Sequence, residues 1–143
     1  MDERQSPGGS DRRSGERPLV VSIDDDPAVC ASLQRALSNE PYEFIATGDP
    51  DEALDLVRTR KVSVLIADYR MPVLSGTGLL QVVKATSPGT ARLVLSAYPD
   101  NPWIQRASEM DVVDQILAKP WDNDDLRRVI RAELFRQEIL RPD

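Results

Sequence analysis

After its first seventeen residues the chain alternates short apolar runs with longer amphipathic stretches. Leu19-Val20-Val21-Ser22-Ile23 is a largely β-branched run that stops at three acids, and it reads as a buried strand. Asp26 then offers an N-cap and Pro27 a first helical position, so a helix is expected through about Ser38. Its apolar stripe is Val29, Leu33, Ala36 and Leu37. Phe44-Ile45-Ala46 makes a second strand, and Asp49-Pro50 caps a second helix carrying Ala53, Leu54 and Val57. Val62 to Ala67 is the third and most apolar strand, and it stops at Asp68. A turn-rich stretch from Met71 to Gly76 leads to a third helix with Leu79, Leu80, Val82 and Val83, which Pro88-Gly89 breaks. Leu93-Val94-Leu95 is a fourth strand ending at Ser96, and Asn101-Pro102 caps a fourth helix through about Met110. A weaker fifth strand, about Val113 to Ala118, ends at Lys119-Pro120, and Asp122 to Leu140 forms the last helix.

Five strands alternating with five helices over short connections imply a parallel sheet covered on both faces. Right-handed crossovers leave few topologies, and a doubly wound α/β sheet of flavodoxin-like order 2-1-3-4-5 is the natural one for this length. Residues 1–17 are mixed in charge and rich in Ser and Gly, with no apolar anchor after Met1. Such a stretch buries too little to offset its ordering entropy, so a flexible tail is expected, followed by one folded unit over residues 18–140.

Composition narrows the function. With 24 Asp+Glu against 18 Lys+Arg, a net charge of −6 disfavours a nucleic-acid surface, which needs an excess of cations, and no direct nucleic-acid contact is expected. The chain has no histidine, which removes serine-histidine triads and histidine-zinc sites. Cys30 is the lone cysteine, and its apolar neighbours point to a buried structural thiol. No apolar run spans a bilayer and no signal-peptide core is visible, so a cytoplasmic protein without membrane contact is the simplest expectation.

In open parallel α/β sheets ligands bind beyond the carboxyl ends of the strands. Here those ends carry Asp24-Asp25-Asp26, Asp68, Ser96 and Lys119, so the polar groups converge on one rim. Crowded carboxylates repel and raise each other's pKa unless a cation sits among them. Oxygen ligands without imidazole or thiolate favour a hard ion, Mg²⁺ above Ca²⁺ where the site is partly hydrated. With a lysine and a hydroxyl added, the set suits phosphoryl transfer, which depends on positioning and charge neutralisation. Taken singly the residues are less telling. Asp26 reads as a cap, Asp24 and Asp25 fit as anions at a helix N-terminus, Ser96 as a strand-end hydroxyl and Lys119 as a solvated charge.

Four segments in order, Ile23-Asp24-Asp25-Asp26-Pro27, Asp68-Tyr69-Arg70-Met71-Pro72 with Gly76, Ser96-Ala97 and Lys119-Pro120, resemble the signature of bacterial response-regulator receiver domains, which are CheY-like. The resemblance covers about Pro18 to Glu138. It implies that Asp68 is the phosphoacceptor in a two-component system and that Asp25 and Asp68 bind Mg²⁺ directly. Asp24 would hold the ion through water, and the backbone carbonyl of Arg70 would complete the protein's ligands. Ser96 and Lys119 would contact the phosphoryl group, Ala97 and Tyr98 would line it, and the Lys119–Pro120 bond would be cis. The implied partners are a sensor histidine kinase or phosphotransfer protein, a homodimer through the fourth-helix, fifth-strand and fifth-helix face, and an output domain downstream.

Two departures stand out. Many members of this family carry Tyr or Phe three residues before the lysine, where this chain has Ile116, so the usual aromatic part of the switch is missing. Trp103 and Trp121 either report the switch or simply pack. Arg70 and Tyr98, each two residues past a site residue, are expected to shield the phosphoryl group from water. The last helix is more apolar than a solvated end requires. It suits a stand-alone receiver that uses it to join a partner, or a piece ending in a linker before an output domain, and the second is favoured. Two rival functions remain: a haloacid-dehalogenase-like phosphatase using Asp24 of the Asp24-Asp25-Asp26 run as nucleophile, and an interaction module that is never phosphorylated.

Overall fold

In the computed structural model, which describes residues 17–70 and 76–140, the elements run β1 (Leu19–Ile23), α1 (Pro27–Leu37), β2 (Glu43–Thr47), α2 (Pro50–Thr59), β3 (Val62–Asp68), α3 (Gly76–Thr86), β4 (Ala91–Ser96), α4 (Pro102–Glu109), β5 (Gln115–Ala118) and α5 (Asn123–Leu140). All pairings are parallel and the sheet order is β2-β1-β3-β4-β5, as the alternating pattern requires. The turn residues Met71 to Ser75 and the segment before Arg17 lie outside the described residues.

Side chains alternate across the strands and sort the core into two layers. Leu19, Val21, Ile23, Leu65, Ala67 and Val94 face α2, α3 and α4, meeting Ala53, Val57, Leu80, Val83 and Ile104. Val20, Val64, Ile66, Leu93 and Leu95 face α1 and α5, meeting Leu33, Leu37, Leu126 and Ile130. Caps fall where the sequence puts them. The side chains of Asp26, Asp49 and Asn101 accept from the backbone N–H groups of Ala28, Asp51 and Trp103, each with a proline at the helix start. The Lys119–Pro120 peptide is cis.

Some positions differ from the sequence reading. Val82 is 42% exposed, because Leu79, Leu80 and Val83 already fill the arc of α3 that meets the sheet. Cys30 is only partly buried, and its thiol donates to the Asp24 carbonyl at 3.3 Å. β5 is shorter than expected: Val113 is buried ahead of the strand, and pairing starts at Gln115 opposite Leu93. Trp103 is 71% exposed, so it is no core side chain, whereas Trp121 packs against the α1–α5 layer.

The role of Arg92 emerges only in the folded chain. It is buried inside β4 and donates Nε to Val112 O at 3.0 Å, Nη1 to Thr90 O at 2.9 Å and Nη2 to Asp111 O at 3.1 Å. Its backbone N–H donates to Asp114 Oδ2 at 2.7 Å. One guanidinium thus satisfies carbonyls of the turn that carries the chain from α4 into β5. On the other layer, Arg131 of α5 grips the buried Glu40 carboxylate through two bonds of 2.7 and 2.6 Å, tying the last helix to the α1–β2 connection.

Candidate functional site: an acidic pocket at the carboxyl edge of the sheet

The site is built on strand ends held by backbone hydrogen bonds that continue the sheet. Asp24 N donates to Thr47 O at 3.0 Å, Tyr69 N to Leu95 O at 3.0 Å and Lys119 N to Ser96 O at 2.8 Å. Asp68 is the last residue of β3, opposite Leu95, rather than the first residue past it. Together with the β1–β3 pairing, these bonds fix the ends of β1, β3, β4 and β5, so the side chains attached there meet without loop ordering.

Lys119 Nζ donates to Asp68 Oδ1 at 2.9 Å and to Asp24 Oδ2 at 3.1 Å. Asp24 and Asp68 are buried, while Asp25 is exposed at the mouth. Asp24 Oδ1 also accepts from Asp26 N at 2.9 Å. Asp26 itself turns away to cap α1, in keeping with its plain reading. Ser96 is buried, and its Oγ accepts from Tyr98 N at 2.9 Å. Ala97 is exposed beside it. Above the rim the Arg70 guanidinium lies 5.5 Å from the centre of the Tyr98 ring, a cation–π pair joining the β3–α3 and β4–α4 connections.

The electrostatics follow from burial. Desolvation pushes the Asp24 carboxyl above its ordinary value, and the nearby Asp68 charge adds to this, against the lowering effect of Asp26 N–H and Lys119. Burial pulls the Lys119 ammonium down, but its bonds to Asp68 and Asp24 outweigh that and hold it above its usual value. The pocket therefore carries more negative charge than one lysine balances.

Asp24, Asp25 and Asp68 each place a carboxylate oxygen within 4.8 Å of the others. Three oxygen donors from two strand ends, one at an open mouth, fit a hard, partly hydrated divalent cation. The fold thus gathers Asp24, Asp25, Asp68 and Lys119, with Ser96 on the adjoining strand end and Arg70 and Tyr98 over the rim. Sequence reasoning missed one contact here. The Tyr69 hydroxyl donates to Asn101 Oδ1 at 3.4 Å, across 32 residues, and no local pattern announces such a bond.

A five-stranded parallel sheet in this order, with an acidic pocket and a lysine at its carboxyl edge, defines a flavodoxin-like, CheY-like α/β domain. The family model for the response regulator receiver domain matches residues 20–131, and the chain belongs to that family. It is 31% identical over 126 residues to the hydrogenase transcriptional regulatory protein HoxA of Cupriavidus necator, covering 88% of this chain and 26% of that one. It is 33% identical over 118 residues to the response regulator MprA of Mycobacterium leprae, covering 82% of this chain and 51% of that one. The chain therefore spans about a quarter to a half of these relatives' length. Among solved structures, the signal receiver domain of an HD domain-containing protein from Pseudomonas fluorescens Pf-5 superposes with a TM-score of 0.80 at 28% identity, covering 94% of this chain and 96% of that one. Membership in the receiver family sets the phosphatase alternative aside. No helix among the described residues is long and apolar enough to cross a membrane.

Proposed function

We propose that Asp68 is the phosphoacceptor of this receiver domain and that a Mg²⁺-dependent reaction at Asp68 shifts the domain between inactive and active states. The observation that carries this reading is Lys119 Nζ bridging Asp68 and Asp24 from a different strand end. A buried carboxylate bonded to a lysine, with two more acids beside it, suits an acceptor better than a structural ion pair, which needs no third or fourth charge.

In the proposed reaction an Asp68 oxygen attacks the phosphorus of a phosphohistidine. A P–O bond forms, the P–N bond breaks, and the electron pair leaves on the imidazole nitrogen. The proposed donor is the phosphohistidine of a sensor histidine kinase or phosphotransfer protein, since these 143 residues carry no histidine of their own. Lys119 is placed to exchange its bond with Asp68 for one to a phosphoryl oxygen, following the charge as it moves. Ser96 Oγ accepts from Tyr98 N and keeps its own proton to donate to a second phosphoryl oxygen. Asp25 and Asp68 would bind Mg²⁺ directly, Asp24 through water, with the Arg70 carbonyl completing the protein ligands. When bound, the ion supplies charge neutralisation for the phosphoryl oxygens. Ala97, with its small side chain, and Tyr98 would line the phosphoryl group.

The two regulators named above extend well past the length of this chain. An output domain downstream is therefore part of the proposal, as are a homodimer through α4, β5 and α5, a folded unit over residues 18–140 and a cytoplasmic setting.

The decisive experiment is incubation with acetyl phosphate and Mg²⁺, followed by intact mass and peptide mapping of parent and Asp68→Asn chains. One phosphoryl group on Asp68 of the parent and none on the variant is expected. A parent that stays unmodified while binding Mg²⁺ would turn the assignment towards a pure interaction module.

A further inference from the structure

Ile116 stands where many receivers place the aromatic of their switch, and it is a partly buried aliphatic side chain in the layer facing α2, α3 and α4. A different aromatic spans the gap. Tyr69, next to Asp68, packs its ring against that same layer, and its backbone is pinned by the bond to Leu95 O. With the ring and backbone fixed, the hydroxyl reaches Asn101 Oδ1 at 3.4 Å. That oxygen is also the cap of α4, accepting from Trp103 N at 2.8 Å. A carboxamide oxygen has two lone pairs and accepts both donors.

A second path reaches the same residue. Ser96 Oγ accepts from Tyr98 N at 2.9 Å, and Asn101 N donates to Tyr98 O at 3.0 Å. Asp68, through its neighbour Tyr69, and Ser96, through Tyr98, therefore converge on Asn101. At 3.4 Å the Tyr69–Asn101 bond is long, whereas the Asn101–Trp103 cap is short. The long bond is thus the one that a small displacement of the β4–α4 connection makes or loses.

We infer that Tyr69 is the positioning residue that carries the state of Asp68 to α4, its hydroxyl contact with Asn101 taking the place of the aromatic absent at Ile116. The inference rests on Asp68 as phosphoacceptor. Engagement of the Ser96 hydroxyl by a phosphoryl group shifts one support of Asn101, and the Tyr69 contact decides which of two positions the first turn of α4 adopts. Trp103, exposed on that turn, moves with it. The competing account is local: the phenol merely satisfies its proton, and Asn101 merely caps the helix.

The experiment follows the backbone amide resonances of Trp103 and Ile104 with Mg²⁺ and acetyl phosphate, with intact mass measured on the same samples. In the parent, labelling and displacement of these amides occur together. Tyr69→Phe keeps the ring and should label like the parent, while the equilibrium between the two α4 positions changes about fivefold, the worth of one neutral hydrogen bond. Asn101→Ser still caps Trp103 N. It is too short to meet Tyr69, so it should match Tyr69→Phe, and the double variant should be no worse than either. A merely capping Asn101 would be rescued by serine. Full labelling of Tyr69→Phe with an unchanged amide displacement overturns the inference alone. A parent that does not label overturns the Asp68 assignment, and the inference with it.

Discussion

Lys119 Nζ lies 2.9 Å from Asp68 Oδ1, joining the ends of β5 and β3 across 51 residues of sequence. Replacing Lys119 with methionine keeps the length of the side chain and removes the charge, leaving Asp24, Asp25 and Asp68 unopposed. Phosphorylation by acetyl phosphate should slow about 100-fold, the scale on which one preorganised electrostatic partner acts. Without metal the variant should also lose on the order of 1–2 kcal/mol in urea unfolding, discounted because Lys119 is partly exposed. A variant that labels at the parent rate would separate Lys119 from the chemistry.

Asp24 predicts the opposite sign for stability. Its folded-state carboxyl is raised above the ordinary 3.8 by burial. The stability linked to it is therefore fully present below 3.8 and is lost as pH rises through the folded value. At neutral pH, without metal, Asp24→Asn should raise the melting temperature, because burial disfavours the charged carboxylate and the Asp68 charge adds to that. The same change should weaken Mg²⁺ binding measured by titration calorimetry. Lys119 sets the alkaline limit: its raised value means that its contribution holds below 10.5 and fades as pH rises through the folded value. Melting curves of parent and variant from acid to alkaline pH test both signs.

The Arg70 guanidinium pairs with the Tyr98 ring at 5.5 Å, each residue two positions past a strand-end site residue, Asp68 and Ser96. If this pair shields an aspartyl phosphate from water, Arg70→Ala and Tyr98→Ala should each shorten the phosphoryl lifetime about two- to fivefold, the worth of one exposed cation–π contact. Loss of phosphate followed by intact mass gives the rates. Equal lifetimes in all three chains would leave the pair without that role.

Arg92 makes a prediction about the fold alone. Truncation to alanine leaves the buried carbonyl bonds to Val112 and Thr90, and the part-buried one to Asp111, without their donor, which should cost about 3 kcal/mol in denaturant unfolding. Labelling at Asp68 should persist at temperatures where the variant is still folded, because Arg92 lies at the opposite end of β4 from Ser96.

How far the sequence could be read depended on whether a signal was local. Strand order, helix caps at Asp26, Asp49 and Asn101, and the strand-end placement of Asp24, Asp68, Ser96 and Lys119 follow from periodicity, capping chemistry and the crossover rule. Those features repeat within a few residues or obey a topological constraint. The burial of Arg92 was not legible, because two of its carbonyl partners, Asp111 and Val112, lie about 20 residues on and are brought near only by the α4–β5 turn. Val82 looked like core because apolar character alone does not fix an angle around the helix.

By itself, then, the sequence determined an alternating α/β domain whose acids and lysine end neighbouring strands, since a parallel sheet leaves such residues little choice of edge. Only the tertiary structure decided that Asp24 is buried while Asp25 opens to solvent, that Lys119 touches both Asp24 and Asp68, and that Tyr69 reaches Asn101. Contacts between side chains distant in sequence depend on packing at the scale of an ångström, and no one-dimensional pattern encodes that distance.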